Sequence, residues 1–318
     1  MPADEFDVIA RYFAPLARGA EARGLVDDAA LLQTQGALVI TADALVEGVH
    51  FFPHDPIDAV AQKALRVNLS DLAAKGAAPV AAMLCLIWPD RRPSAQIEAF
   101  ARGLGEDLQR YDLKLLGGDT TSTPGPLSIA ITAFGAPHEG ASPARSGARI
   151  GDDLWVTGEI GDAYIGLQHL KRDAQAPMLG PVRRYRLPEP RVRFAPFVAR
   201  YASASIDVSD GLAQDADKIA WASNVAMWLN SRDVPLSQDA RAWIASGGDP
   251  GLLMSGGDDY EILFTAAREH RAEIEEAGRE TDLRVTRIGR VESGRGALVI
   301  GYDGSPAPPR GFRHKLGA

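Results

Sequence analysis

The chain has 318 residues, of which 46% are hydrophobic and 24% charged, and a formal net charge of −8. That balance belongs to a folded protein rather than a disordered one, and the length suits two domains better than a single core. The acidic charge disfavours a nucleic-acid or anionic-membrane partner, so a phosphate-bearing ligand would have to be met through metal ions or local positive charge.

The chain opens Met1-Pro2-Ala3-Asp4-Glu5-Phe6-Asp7, acidic and without the basic and apolar regions of an export signal. No apolar stretch approaches the ~18 residues needed to span a bilayer, so the sequence reads as that of a cytoplasmic protein. Phe6, Ile9, Ala10, Phe13 and Leu16 recur at helical spacing up to Gly19. A strand over Ala37–Thr41 runs into Asp43. A long helix then reaches about Gly76, with Asp55 at its cap and Pro56 at its first position. Pro79–Trp88 is a continuous apolar run and reads as a buried strand, which makes its Cys85 a packed core thiol. This is the chain's one cysteine, so no disulfide forms within the chain, as suits a reducing compartment. Ser94 reads as the cap of a helix carrying Ile97, Phe100, Ala101, Leu104 and Leu108 on one face, and strands follow at Leu113–Leu116 and Leu127–Phe134.

A stretch rich in glycine, proline, serine and alanine, about Pro137 to Gly151, marks a boundary between domains at 1–140 and 148–318. The second half repeats the mixed pattern. Strands are expected at Leu154–Thr157, Ile206–Val208, Val225–Leu229, Tyr260–Phe264, Leu283–Ile288 and Ala297–Ile300, and helices after Gly161 and over Leu212 to about Ala222. The class is mixed α and β.

The informative feature is where the aspartates sit. Surface aspartates occupy polar runs or caps, yet Asp27-Asp28, Asp43, Asp71, Asp119, Asp207, Asp210 and Asp258-Asp259 stand among apolar residues or glycines. Asp71 continues the apolar stripe of Val60, Ala64 and Val67 on a helix covered on most sides. A carboxylate there needs a compensating cation. Two are open to it: a metal ion, or Lys75 one turn on. Together the acids form a hard-oxygen donor set without histidine or cysteine spacings, which suits several Mg²⁺ ions. The pairs Gly117-Gly118 and Gly256-Gly257, each followed by aspartate, favour close approach of backbone to phosphate. A Gly-x-x-x-x-Gly-Lys-Ser/Thr loop, a dinucleotide-binding Gly-x-Gly-x-x-Gly and a His-Arg-Asp loop are all missing.

In this order the motifs resemble the thiamine-monophosphate kinase family, within the aminoimidazole ribonucleotide synthetase-like ATP-binding superfamily. The resemblance rests on Asp27-Asp28-Ala29-Ala30, Thr41-Ala42-Asp43-Ala44-Leu45-Val46-Glu47-Gly48-Val49-His50-Phe51, Val67-Asn68-Leu69-Ser70-Asp71-Leu72, Gly117-Gly118-Asp119-Thr120-Thr121, Arg145-Ser146-Gly147-Ala148, Ile206-Asp207-Val208-Ser209-Asp210-Gly211 and Ser255-Gly256-Gly257-Asp258-Asp259-Tyr260-Glu261. The chain departs from the family pattern at Val26, Ala42 and Asp258, and its ending Gly311-Phe312-Arg313-His314 matches in part.

The resemblance implies a two-domain fold whose N-terminal sheets meet across a homodimer interface, with a C-terminal α/β domain. It implies ATP and thiamine monophosphate as substrates, Mg²⁺ as cofactor, and transfer of phosphate to form thiamine diphosphate. By that resemblance Asp28, Thr41, Ala42 (through its backbone), Asp43, Asp71, Asp119, Asp207 and Asp210 hold Mg²⁺, with Asp71, Asp119 and Asp210 central to catalysis. Gly118, Asp119, Arg145 and Ser209 meet ATP, while His50, Asp258 and Phe312 meet the thiamine phosphate. Rival readings are an ATP-dependent cyclase or selenophosphate synthetase of the same fold, or an acidic metal-binding protein without activity.

Overall fold

The structure, a computed structural model, describes residues 5–25, 30 and 32–312. The expected first helix is short and distorted: α1 (Glu5–Val8) passes into a π-helical turn over Ile9–Phe13. Of the expected stripe Phe13 is buried, Ile9 and Leu16 are half-buried and Ala10 is exposed, while Val8, outside the stripe, is buried.

Next come β1 (Val39–Val46), α2 (Ile57–Ala74), β2 (Ala77–Pro89), α3 (Ala95–Arg110), β3 (Lys114–Thr123) and β4 (Ser128–Pro137). Their strands form a four-stranded sheet in the order β1-β4-β2-β3, with β2 and β3 parallel and the other pairs antiparallel. Leu84, Leu86, Ile129 and Ile131 face inward and join Val60, Leu65 and Leu69 of α2 and Phe100 and Leu104 of α3 in one core.

Beyond the loop at 138–152 lie β5 (Asp153–Thr157), α4 (Asp162–Arg172), α5 (Gly180–Arg186), α6 (Ala195–Tyr201), β6 (Ala204–Asp207), α7 (Leu212–Ser223) and β7 (Ala226–Asn230). They are followed by α8 (Gln238–Ala245), α9 (Pro250–Ser255), β8 (Ile262–Ala266), α10 (Arg271–Glu280), β9 (Val285–Glu292), β10 (Gly296–Ile300) and β11 (Pro306–Ala307). Seven strands pair in the order β11-β10-β7-β9-β5-β8-β6. One core, including Leu154, Ile206, Ile219 and Leu263, covers this sheet, and a second cluster joins Trp155 and Phe264 to Ala73 and Ala74 at the end of α2. Helix α2 therefore touches both sheets.

Several expectations change. Pro79–Trp88 is a strand, but not one buried on both faces: Met83 and Cys85 are exposed while Leu84 and Leu86 are buried. The alternation of an extended chain puts every second residue on the outer face, whatever its hydropathy. Asp55 does not cap α2. It is buried, accepts the Phe52 N–H at 2.8 Å and pairs with Arg186 at 2.6 Å. Ser94 makes no side-chain cap bond on α3. Residues 117–121 lie inside β3 rather than after a strand.

Candidate active site

The acids arrive from three directions. β1 runs along the edge of its sheet beside α2, and register places Thr41, Asp43 and Leu45 on the inner face. From that face Thr41 Oγ1 donates to Asp71 Oδ2 at 2.5 Å, and Asn68 Oδ1 accepts the Asp43 backbone N–H at 3.1 Å. Asp207, at the end of β6, comes from the other sheet and accepts from Ser70 Oγ at 3.0 Å. Asp210 follows in the turn entering α7, where Gly211 adopts φ +114° against the Met254 carbonyl oxygen and leaves no room for a Cβ.

Asp43 keeps part of its surface open to solvent, yet desolvation on its inner side, then the charges of Asp71 and Asp210, push its carboxyl up to about 6. Asp207 is raised well above the carboxylate range by burial and by Asp71, Asp215 and Asp43. Five carboxylates, Asp43, Asp71, Asp207, Asp210 and Asp215, thus interact across the two sheets. Lys75 does not bond to Asp71: its Nζ donates to the carbonyls of Pro143 at 3.2 Å and Ser205 at 2.5 Å. Burial and Arg145 lower its pKa to about 8, while Asp207 and Asp71 oppose that shift. Of the two cations open to Asp71 in the sequence, Lys75 therefore acts at a distance.

Asp210 is met by Lys218 at 2.5 Å and by Gln214 at 3.2 Å. Beneath the same turn lies Asp215, a residue the sequence reading passed over. It is fully buried, takes the N–H groups of Ser209 at 3.1 Å and Asp210 at 3.0 Å, and has its pKa pushed up to about 6 by burial. Its signal was an aspartate on the inner face of an apolar helix start, Leu212-Ala213-Gln214-Asp215-Ala216.

The proposed substrate contacts form a second group. The His50 imidazole Nδ1 accepts the Val46 N–H at 2.9 Å in a tight turn. The His50 carbonyl accepts from Lys63 Nζ at 3.1 Å and Tyr185 Oη at 3.2 Å. Asp258, at φ +64°, accepts from Lys63 at 3.0 Å and from Tyr260 Oη at 3.2 Å. Phe312 is 47% exposed and its N–H donates to the Asp210 carbonyl at 2.8 Å, which brings the segment beyond β11 to the acidic turn. Asp259 turns inward instead: half-buried, it accepts the Gly161 N–H at 2.8 Å.

Other residues fall elsewhere. Asp28, with Asp27, lies outside the described residues. Ala42 sits on the outer face of β1, opposite Thr132. Asp119 pairs in register with Cys85, on the outer face and away from Asp43; with Thr120 it lines a cavity of about 250 Å³ against the N-terminal segment. Gly118, at φ +150°, has the Leu84 carbonyl oxygen 1.6 Å from where a Cβ would stand. Close packing of β2 on β3 is thus sufficient reason for that glycine. Arg145 is exposed near Lys75, and Ser209 holds the turn through its backbone, its carbonyl accepting the Asp258 N–H at 2.9 Å.

Among the described residues no three acidic, histidine or cysteine side chains already converge as a metal-ligand set. The donor chemistry nevertheless suits magnesium, which takes one or two carboxylates per ion and fills its other positions with water and phosphate. Burial and neighbouring carboxylates both raise the carboxyls of Asp43 and Asp207, and a bound cation would favour their ionised forms.

Two sheets meeting at a cleft of carboxylates define a class. Residues 26–136 match the family described as AIR synthase related protein, N-terminal domain. Thiamine-monophosphate kinase of Caulobacter vibrioides is 42% identical, over 97% of this chain and 89% of its own length. The chain belongs to the thiamine-monophosphate kinase family. The crystal structure of that kinase from Stenotrophomonas maltophilia superposes with a TM-score of 0.83 at 38% identity, over 96% of this chain and 99% of that one. A structure of AaThiL complexed with AMPPCP and TMP gives 0.79 at 30% identity, covering 98% and 97%.

Proposed function

We propose that this chain transfers the γ-phosphoryl group of ATP to the phosphate of thiamine monophosphate, releasing ADP and thiamine diphosphate. A phosphate oxygen of the acceptor forms the new bond to the γ phosphorus as the bond to the β,γ-bridging oxygen breaks. The acceptor oxygen is nucleophilic at neutral pH, so no general base is required; the obstacle is repulsion between two polyanions. One observation carries the reading: Asp43 of β1, Asp71 of α2, Asp207 of β6 and Asp210 of the turn before α7 are drawn from both sheets to within electrostatic reach of one another, with Thr41 bonded to Asp71 and Ser70 to Asp207. A family match over nearly the whole chain supports it.

Asp43, Asp71, Asp207 and Asp210 would hold Mg²⁺ at this site, with Asp28, Thr41 and the Ala42 backbone as further ligands; Asp119, on the outer face of the sheet, would hold an ion apart from them. When bound, Mg²⁺ would neutralise the two substrates and align them. Thr41 orients the Asp71 carboxylate, Asn68 fixes the Asp43 backbone and Ser70 holds Asp207. Arg145, Ser209 and Gly118 are assigned to ATP. His50, Asp258 and Phe312 are assigned to the acceptor, where a carboxylate and an aromatic ring suit the cationic thiazolium of thiamine.

The unit is proposed to be a cytoplasmic homodimer of two-domain chains divided between residues 140 and 148. Support comes from the outer face of the four-stranded sheet, where Ile40 is 60% exposed and Met83 is 37% exposed, Ala42 lies in register with Met83, and Ala44 and Cys85 lie in register with Asp119. Covering that face with a second copy would bury its apolar residues and bring Asp119 to the interface.

Incubation with ATP, Mg²⁺ and thiamine monophosphate, followed by chromatography, should yield thiamine diphosphate and ADP in equal amounts. ADP without thiamine diphosphate, or neither product, would remove the assignment.

A further inference from the structure

Lys63, on α2, is buried, with only 2% of its surface exposed. A lysine so deeply enclosed must spend its charge on something. Its Nζ donates to the His50 carbonyl at 3.1 Å and to Asp258 Oδ2 at 3.0 Å, and stands 3.9 Å from the centre of the Tyr185 ring. The three directions of an ammonium are thereby occupied by a carbonyl, a carboxylate and an aromatic face. Tyr185 closes the arrangement, its hydroxyl donating to the same His50 carbonyl at 3.2 Å.

We propose that Lys63 is a positioning residue for the acceptor, fixing the His50 turn and Asp258 to each other from behind the site. The His50 turn belongs to the four-stranded half of the chain, whereas Asp258 precedes a strand of the seven-stranded sheet. Lys63 is one buried group bonded to both. Asp258 also sits at φ +64° and Tyr260 at φ +51°, conformations that residues with side chains adopt at a cost and that surrounding bonds must hold. The ammonium beneath Asp258 holds that carboxylate in place, while the 29% of its side chain that stays exposed faces outward. With all three donor directions used internally, Lys63 acts through His50 and Asp258 rather than by touching the acceptor.

This inference rests on the acceptor assignment of His50 and Asp258, and wild-type turnover of thiamine monophosphate tests that assignment separately. Steady-state kinetics of Lys63→Met should show KM for thiamine monophosphate raised at least about tenfold, the loss expected when one partner of a buried charge pair is truncated, with KM for ATP near wild type. Lys63→Gln, which keeps a donor for the His50 carbonyl without the charge, should fall between the two and provides the test if the methionine variant does not fold. In an Asp258→Asn background the Lys63→Met effect should shrink, since the two act together. Equal rises in both KM values, an unchanged KM for thiamine monophosphate in the folded variant, or full additivity with Asp258→Asn would overturn the proposal while leaving the kinase assignment standing.

Discussion

Asp71 receives the Thr41 hydroxyl at 2.5 Å and lends its charge to both Asp43 and Asp207, so it links the acids of one sheet with those of the other. Asp71→Asn keeps the shape and removes the charge. Turnover should fall roughly a hundredfold or more if the residue helps hold the charge-neutralising ions, and near-wild-type rates in a folded variant would refute its role. Gly118 belongs to a different kind of necessity. Its missing Cβ would meet the Leu84 carbonyl oxygen at 1.6 Å, with φ at +150°. Gly118→Ala should therefore destabilise the fold by about 3 kcal/mol, read as a lowered midpoint in urea. An unchanged midpoint would show that β2 and β3 can separate at little cost.

At the scale of elements, α2 explains how acids distant in sequence meet. It packs under β1, and its polar residues each reach a different partner: Arg66 forms a buried pair with Asp107 at 2.6 Å, Asn68 meets the Asp43 backbone, Ser70 meets Asp207 and Lys75 meets the Ser205 carbonyl. An amphipathic helix facing one core would leave those groups in water; a helix buried between two sheets must bond them. On the outer face of the four-stranded sheet Ile40, Met83 and Cys85 stay exposed. Cys85→Arg places a charge at the centre of that face, harmless to a monomer and costly in a closed interface. Light scattering should give twice the chain mass of 33.9 kDa for the wild type and a shift toward the single mass for the variant. A wild-type monomer, or a variant dimer as stable as the wild type, would exclude this face as the contact.

For the molecule as a whole, the raised carboxyls set a pH dependence. Asp43 titrates near 6 in the fold against 3.8 for an ordinary aspartate, and Asp207 shifts the same way. Between those values the native state holds more protons than the unfolded chain, so without divalent cations stability declines as pH rises through that window. Cation binding requires the ionised form. The rise in melting temperature on adding Mg²⁺ should accordingly be small at pH 5 and larger at pH 7.5, as measured by calorimetry. Equal shifts at both pH values would separate the raised carboxyls from metal binding.

The sequence by itself determined the elements and the inventory of the site. Apolar periodicity located α2, α3 and nearly every strand of both sheets, because the periods of 3.6 and 2 follow from backbone geometry alone. Misplaced acids such as Asp43, Asp71, Asp207 and Asp210 were legible because charge among apolar neighbours demands compensation wherever the chain folds. Tertiary structure alone decided which acids meet. It brought Asp207 to Ser70 across 137 positions, turned Asp259 inward to Gly161, left Asp119 on the outer face and gave Lys75 carbonyl partners instead of Asp71. It also exposed Cys85, since the face a strand residue presents depends on which side of the sheet the helices cover. Those outcomes depend on long-range packing, and local sequence carries no term for it.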